Sequence, residues 1–250
     1  MDYSSWARRF DVIALEEVDS TNLEAKRLAQ SSSFSPYSLI YAKKQTAGKG
    51  RMGRSWESLD GNLFISIIVP VTDNLMKMSQ LSFAASLALA KTLKYFAEKY
   101  NQKIKISHKW PNDVLVNDKK IAGILLESAG KNKEYLIIGI GVNIATSPKF
   151  DSNSISLSEL EINFVSTDAF LDKLMREFLY FYQSWISEGF MKIREAWIKR
   201  AKSLGEVINI KYGGSLVSGK FVDIDLAGAI RLQISSGQIV SSNIGEVFFD

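Results

Sequence analysis

The chain contains no cysteine and one histidine, His108. Without thiols there is no disulfide, no thiolate metal site and no cysteine nucleophile. A single imidazole cannot build a histidine metal cluster, and it makes a serine–histidine–acid triad a poor expectation. No stretch reaches the roughly 18 apolar residues of a membrane-spanning helix. The short apolar run near the N-terminus has acids on both sides, unlike a signal peptide. These absences lead us to expect a soluble, untargeted, cytoplasmic protein. A strong charge excess is missing too: 31 Lys and Arg face 27 Asp and Glu, mixed along the chain, for a net charge of +4. That balance argues against a nucleic-acid-binding surface.

What is present suits a folded enzyme-sized chain, since 250 residues with 46% hydrophobic content can bury one large domain, or one large and one small. Residues 9–18 read as a strand, and Ser20, Thr21 and Asn22 offer capping side chains to a helix reaching about residue 31. Residues 38–44 and the almost wholly apolar 62–71 are the next strands, and 79–100 is the longest helix. Segments 104–109, 114–116, 120–128 and 135–143 read as antiparallel hairpins. Residues 145–165, rich in Ser and Asn, suit a surface loop. Two helices at 167–187 and 189–201 carry many aromatics, most of them core. Beyond them, short alternating strands at 207–212, 216–224, 229–234, 238–242 and 246–249, with a Gly213-Gly214 turn, fit a small β-barrel. The composition shift places a domain boundary near residue 203.

Residues 45–57, QTAGKGRMGRSWE, carry the strongest chemical signal. Gly48, Gly50 and Gly53 let backbone approach a ligand closely, while Lys49, Arg51 and Arg54 supply cations suited to phosphate or carboxylate. The spacing matches the dinucleotide fingerprint Gly-x-Gly-x-x-Gly, and Asp73 follows about 20 residues on. That match is a decoy, because Ser55-Trp56-Glu57 leads into a strand, leaving no helix N-terminus to face a pyrophosphate. A solvated basic loop is the plain alternative. Three further segments weigh against it: KWPND at 109–113, KKIAGILLE at 119–127 and GIGVN at 139–143.

With Ser20-Thr21-Asn22 and Gln45 in front of the glycine loop, these segments stand in an order that resembles the biotin protein ligase family across essentially the whole chain. The resemblance implies an α+β catalytic domain in residues 1–203, with a mixed, largely antiparallel sheet and flanking helices similar to class II synthetases. It implies an SH3-like barrel in residues 204–250. It also implies two steps: the biotin carboxylate attacks the α-phosphate of ATP to give biotinyl-5′-AMP, and a lysine of a biotin carboxyl carrier protein then takes the acyl group. Lys120, Asp113 and Arg51 match the catalytic positions: Lys120 bridges carboxylate and phosphate, Asp113 orients Lys120 or takes a proton from the acceptor, and Arg51 holds phosphate. Biotin would meet Ser20, Thr21, Asn22, Gln45, Lys49, Gly50, Arg51, Lys120, Gly123 and Leu125. The nucleotide would meet Arg51, Arg54, Trp56, Lys120 and Asn143, with Mg²⁺ held through its phosphates near Asn143 and no direct metal motif.

Two departures stand out. Lys49 replaces the usual first arginine of the loop, and residues 145–156 lack the tryptophan that stacks on adenine. The first strand begins near Phe10 with no winged helix before it, so we expect a monofunctional ligase with neither DNA nor membrane as partner; a homodimer stays open. Lipoate–protein ligases are the runner-up, and a nucleic-acid-binding module is the alternative from another class. The glycine loop itself reads as a lid closing over the acyl-adenylate.

Overall fold

The computed structural model describes residues 6–31, 34–149, 151–212, 215–243 and 247–248. Its first unit is a parallel crossover: β1 (Asp11–Val18), α1 (Thr21–Leu28) and β2 (Ser38–Gln45), with Asp11 opposite Ser38 and Val18 opposite Gln45. Then come β3 (Leu63–Pro70), β4 (Ile106–Lys109), β5 (Asp113–Val116), β6 (Lys119–Ala129) and β7 (Tyr135–Val142). The seven strands form one sheet in the order β1-β2-β3-β7-β6-β5-β4, antiparallel apart from the first pair. This is the mixed, largely antiparallel sheet expected from the sequence.

β3 is central and apolar because both of its faces are covered. Leu63, Ile65, Ile67 and Val69 point into the main core, and Ile68 joins a smaller cluster with Ala25, Ala29, Ile40 and Ile137 beneath α1. The main core lies under α3 (Leu81–Lys99), which follows the short α2 (Leu75–Met78), and under α4 (Thr167–Glu188) and α5 (Phe190–Ile198). Of the aromatics in the last two helices, Phe170, Phe178, Phe181, Tyr182, Trp185, Phe190 and Trp197 are buried, whereas Tyr180 is exposed. Phe96 of α3 stacks on Phe170 at 5.6 Å.

The C-terminal strands β8 (Val207–Tyr212), β9 (Ser215–Ile224), β10 (Ile230–Gln233), β11 (Ile239–Ser242) and β12 (Val247–Phe248) form an antiparallel sheet ordered β11-β10-β9-β8-β12. Its strand content is that of the expected small barrel, and no pairing among the described residues joins its two ends. The Gly213-Gly214 turn and both ends of the 246–249 strand lie outside the described residues. The sheet is tied to the rest of the chain at named points: Arg194 to the Asp223 carboxylate and the Ile224 carbonyl, Gln80 Nε2 to Leu226 O at 2.9 Å, and Trp110 Nε1 to Gly228 O at 3.0 Å.

Two local expectations are corrected. Ser20 occupies the N-cap of α1 with an extended backbone, but its side chain makes no capping bond, and the helix stops at Leu28. The decoy reading of the glycine loop holds: the loop runs into β3 with no α-helix between, and Asp73 pairs with Lys77 at 2.6 Å across the start of α2. The 145–165 segment is not a solvent loop: Ile155, Leu157 and Ile162 are buried in the main core. Its Ser and Asn content hid these three apolar anchors. Burying each contributes roughly 1.5–3 kcal/mol, enough to hold the segment against the sheet.

Candidate active site

The site is built on three glycines of two neighbouring strands. In β7, Ile138 and Ile140 turn into the core, which leaves Gly139 and Gly141 on the α1 face. The register carries this face across the sheet: Ser66, Gly139 and Leu125 share one row, and Phe64, Gly141, Gly123 and Asp113 share the next. The result is a shallow floor beneath a cavity of about 520 Å³, walled by α1, the glycine loop and residues 148–154. All the residues matched to catalysis, biotin or nucleotide line it, namely Ser20, Thr21, Asn22, Gln45, Lys49, Gly50, Arg51, Arg54, Trp56, Asp113, Lys120, Gly123, Leu125 and Asn143, whereas Gly48 and Gly53 do not.

A bulge brings Lys120 to this floor. Val114 pairs with Ala122 but Leu115 with Lys120, so Ile121 is the extra residue in β6. Ile121 therefore turns into the core with Ala122 and Ile124, and Lys120 takes the cleft face that strict alternation would have given to position 121. Lys120 Nζ then lies 2.8 Å from Asp113 Oδ1, with the two side chains 32% and 18% exposed. Although close, Asp113 Oδ1 has no aligned hydrogen-bond donor among the described residues, so the contact is an ion pair rather than a directed bond. The lysine backbone is clamped as well: Lys120 N donates to Asn153 O at 2.6 Å and Ile155 N to Lys120 O at 2.9 Å.

The glycine loop folds back as a narrow hairpin. Trp56 N donates to Gly48 O at 2.9 Å and Gly50 N to Arg54 O at 2.7 Å, and the apex is a single 3-10 turn at Arg51–Gly53. Met52 (φ 54°) and Gly53 (φ 76°) are both left-handed there, which only the glycine adopts without steric cost. A Cβ on Gly48 would lie 2.6 Å from Trp56 O, so that glycine is needed for close approach. The hairpin delivers the Trp56 indole over the floor: a Cβ on Gly141 would come within 2.5 Å of the ring, and one on Gly123 within 2.9 Å. Lys120 Nζ sits 5.3 Å from the ring centroid, a cation–π contact.

At one end of the cleft is a polar cradle. Gln45 Oε1 accepts from Thr21 N at 2.8 Å and lies 3.1 Å from Thr21 Oγ1, and Gln45 Nε2 donates to Ser58 Oγ at 3.0 Å. Behind it, Ser66 Oγ lies 2.8 Å from Thr21 Oγ1 and 2.6 Å from Asn22 Oδ1. Asn22 Nδ2 donates to Glu127 Oε2 at 2.8 Å, and Lys26 pairs with the other Glu127 oxygen. The cation side is organised by Asn112, whose Nδ2 donates to Ile124 O at 2.7 Å and whose Oδ1 accepts from Arg51 Nη1 at 3.2 Å. Cations Lys49, Arg51, Arg54, Lys109 and Lys120 line the cleft against the carboxylates of Glu57, Asp113 and Asp151, a balance that favours an anionic ligand. Asn143 is buried, its Nδ2 donates to Ile155 O at 3.2 Å, and its Oδ1 has no partner among the described residues.

The sequence reading passed over several residues: Asn112, Glu57, Pro148, Asp151 and Ser154 line the cleft, and Ser66 and Glu127 stand behind it, bonded to Asn22. Two of them carried a readable signal. Ser66 is the polar residue within LFISIIVP, and Asn112 stands inside KWPND.

The profile of the biotin/lipoate A/B protein ligase family matches residues 14–143, and that of the biotin protein ligase C terminal domain matches residues 203–250. The chain is 36% identical over 244 residues to a biotin–[acetyl-CoA-carboxylase] ligase of Paracoccus denitrificans, covering 94% of this chain and 99% of that protein. Among solved structures it is similar to the biotin protein ligase of Aquifex aeolicus in complex with biotin and ATP (TM-score 0.80, 28% identity, 95% of this chain and 97% of that one). It is also similar to the Leishmania major enzyme in complex with biotinyl-5-AMP (TM-score 0.65, 25% identity, 94% and 99%).

Proposed function

Because the chain belongs to the biotin/lipoate A/B protein ligase family, we propose that it activates biotin with ATP and passes the acyl group to a lysine of a carboxyl carrier protein. The observation that carries the reading is the Lys120–Asp113 pair, 2.8 Å apart on a glycine floor, between a neutral hydrogen-bonding cradle and a cationic hairpin. Biotin has matching ends: a cyclic urea needing convergent polar partners, and a carboxylate needing cations. Thr21, Gln45, Ser20 and Asn22 take the urea, with Gly123 and Leu125 beneath the chain. Lys120, Lys49 and Arg51 meet the carboxylate.

In the first step one carboxylate oxygen forms a bond to the α-phosphorus and the bond to pyrophosphate breaks. Two anions must meet, so Lys120 holds nucleophile and electrophile together while Arg51 and Arg54 take up the charge that develops on phosphate. Asn112 keeps Arg51 aimed at the cleft. In the second step the acceptor amine attacks the acyl carbon and AMP leaves; Asp113 receives the amine proton. Among the described residues no group of three or more His, Asp or Glu gathers as a metal cage; Mg²⁺ would enter with the nucleotide phosphates, and Asn143 Oδ1, buried without a partner among the described residues, would offer it a neutral oxygen. When bound, the ion supplies neutralisation of phosphate charge. Residues 1–203 hold this chemistry, and residues 204–250 form the appended small barrel, whose Gly228 carbonyl receives Trp110 of the KWPND turn.

Incubating the protein with ATP, Mg²⁺, a carrier domain and either biotin or lipoate tests the reading by the mass of the carrier. Gain of one biotinyl group, dependent on the acceptor lysine, is expected. Lipoylation in preference to biotinylation, or neither, would overturn it.

A further inference from the structure

Glu127 stands outside the cleft, one row of the sheet beyond Ser66 and Gly139, opposite Ile137. Its side chain is 23% exposed and both of its oxygens are engaged, one by the Lys26 ammonium and the other by the Asn22 amide. We propose that Glu127 is a positioning residue that fixes the direction of the hydrogen bonds ending at Thr21, so that Thr21 presents lone pairs, not a proton, to a ligand N–H. The inference deepens the biotin reading and rests on it.

The argument is one of counting protons. A carboxylate only accepts, so Asn22 must turn Nδ2 toward Glu127 (2.8 Å) and Oδ1 away from it. Asn22 Oδ1 also only accepts, so the hydroxyl proton of Ser66, 2.6 Å away, is committed to it. Ser66 has no second proton, and its 2.8 Å contact with Thr21 Oγ1 must therefore use the proton of Thr21, while Gln45 Oε1, 3.1 Å from the same hydroxyl, is satisfied by the Thr21 N–H at 2.8 Å. What Thr21 has left for the cleft is acceptor capacity, which complements the two N–H groups of a cyclic urea. Gly139 fits the same device, because a Cβ there would lie 2.2 Å from Asn22 Oδ1 and push the amide out of line. Buried chains of this kind polarise along their length, so the charged end governs the neutral one.

Lys26 supplies the test. In Glu127→Gln the ammonium claims the single side-chain oxygen, which leaves an NH₂ facing Asn22; the Asn22 amide then turns over, Ser66 donates to Thr21, and a Thr21 lone pair is lost to the cleft. Replacing Lys26 as well, in Glu127→Gln/Lys26→Met, frees that oxygen to accept from Asn22 and restores the original direction. We expect Glu127→Gln to raise the biotin KM about fivefold or more, the size of one neutral hydrogen bond. The kcat at saturating biotin should stay near wild type, and the double variant should recover most of the loss. A merely structural role predicts the opposite, a double variant worse than the single one. Ser66→Ala, which removes one oxygen, must raise the KM similarly and decides the matter should Glu127→Gln fail to fold. A wild-type protein without biotin-dependent pyrophosphate release overturns both this inference and the functional reading. An active wild type, with the biotin KM unchanged in Ser66→Ala and Glu127→Gln or with no recovery in the double variant, overturns this inference alone.

Discussion

Two adjacent lysines separate chemistry from charge. Lys119 and Lys120 are neighbours in β6, but the bulge at Ile121 aims only Lys120 into the cleft, against Asp113. Lys120→Ala is therefore expected to slow adenylate formation on the order of a thousandfold, the scale of a lost positioning and charge-stabilising contact. Lys119→Ala should leave the rate within about twofold, since an exposed charge there contributes little. Pyrophosphate release under single-turnover conditions separates the two, and equal losses would show that the bulge does not set which lysine acts. Arg51 makes a different prediction. It is held by Asn112 at the hairpin apex, so Arg51→Gly should let the acyl-adenylate escape faster, read as biotinylation of bystander lysines in an added protein. Bystander labelling at the wild-type level would mean that the hairpin does not retain the intermediate.

At the scale of elements, the segment 151–157 matters as much as the named motifs. It bonds both sides of the Lys120 peptide and is anchored by Ile155 and Leu157. Truncating Leu157 to Ala should cost about 2–5 kcal/mol, the range for a fully buried leucine, and lower kcat through loss of Lys120 alignment. Denaturant unfolding and steady-state rates on the same variant check both halves; normal kcat in a destabilised protein would show that the clamp is not needed for catalysis. This element also marks what was legible in the sequence. Strands with strong period-two patterning, the long helices and the five motif segments could be read, because each carries its signal locally. The role of 145–165 could not, since three apolar anchors spaced along a polar stretch have no period. Nor could the bulge at Ile121, because it depends on the partner strand's register. Ser20 misled for a related reason: a serine before a helix reads as a cap, yet in this fold its hydroxyl makes no capping bond.

Across the whole molecule, the edge strand β4 is joined at His108 to the segment that runs from α5 toward β8. Its N–H donates to Arg200 O and its carbonyl accepts from Lys202 N, both at 2.8 Å, and its ring stacks on Trp197 at 5.5 Å. Burial, reinforced by the Arg200 charge, lowers the imidazole to about 3 from its usual 6.5. The folded protein therefore keeps the ring neutral where the unfolded chain takes up a proton. Stability is intact above about pH 6.5 and falls by roughly 1.4 kcal/mol per unit as the pH drops toward 3. Urea unfolding of wild type and His108→Phe across that window should show the slope in the first and a flatter profile in the second; parallel profiles would mean that other groups set the acid limit. The central claim, that one cleft joins a urea-binding cradle to a phosphate-binding hairpin through Lys120, is tested most directly by ATP–pyrophosphate exchange without any carrier protein. The account predicts exchange that requires biotin, is not supported by lipoate and vanishes in Lys120→Ala; exchange that proceeds without biotin, or survives in Lys120→Ala, would contradict it.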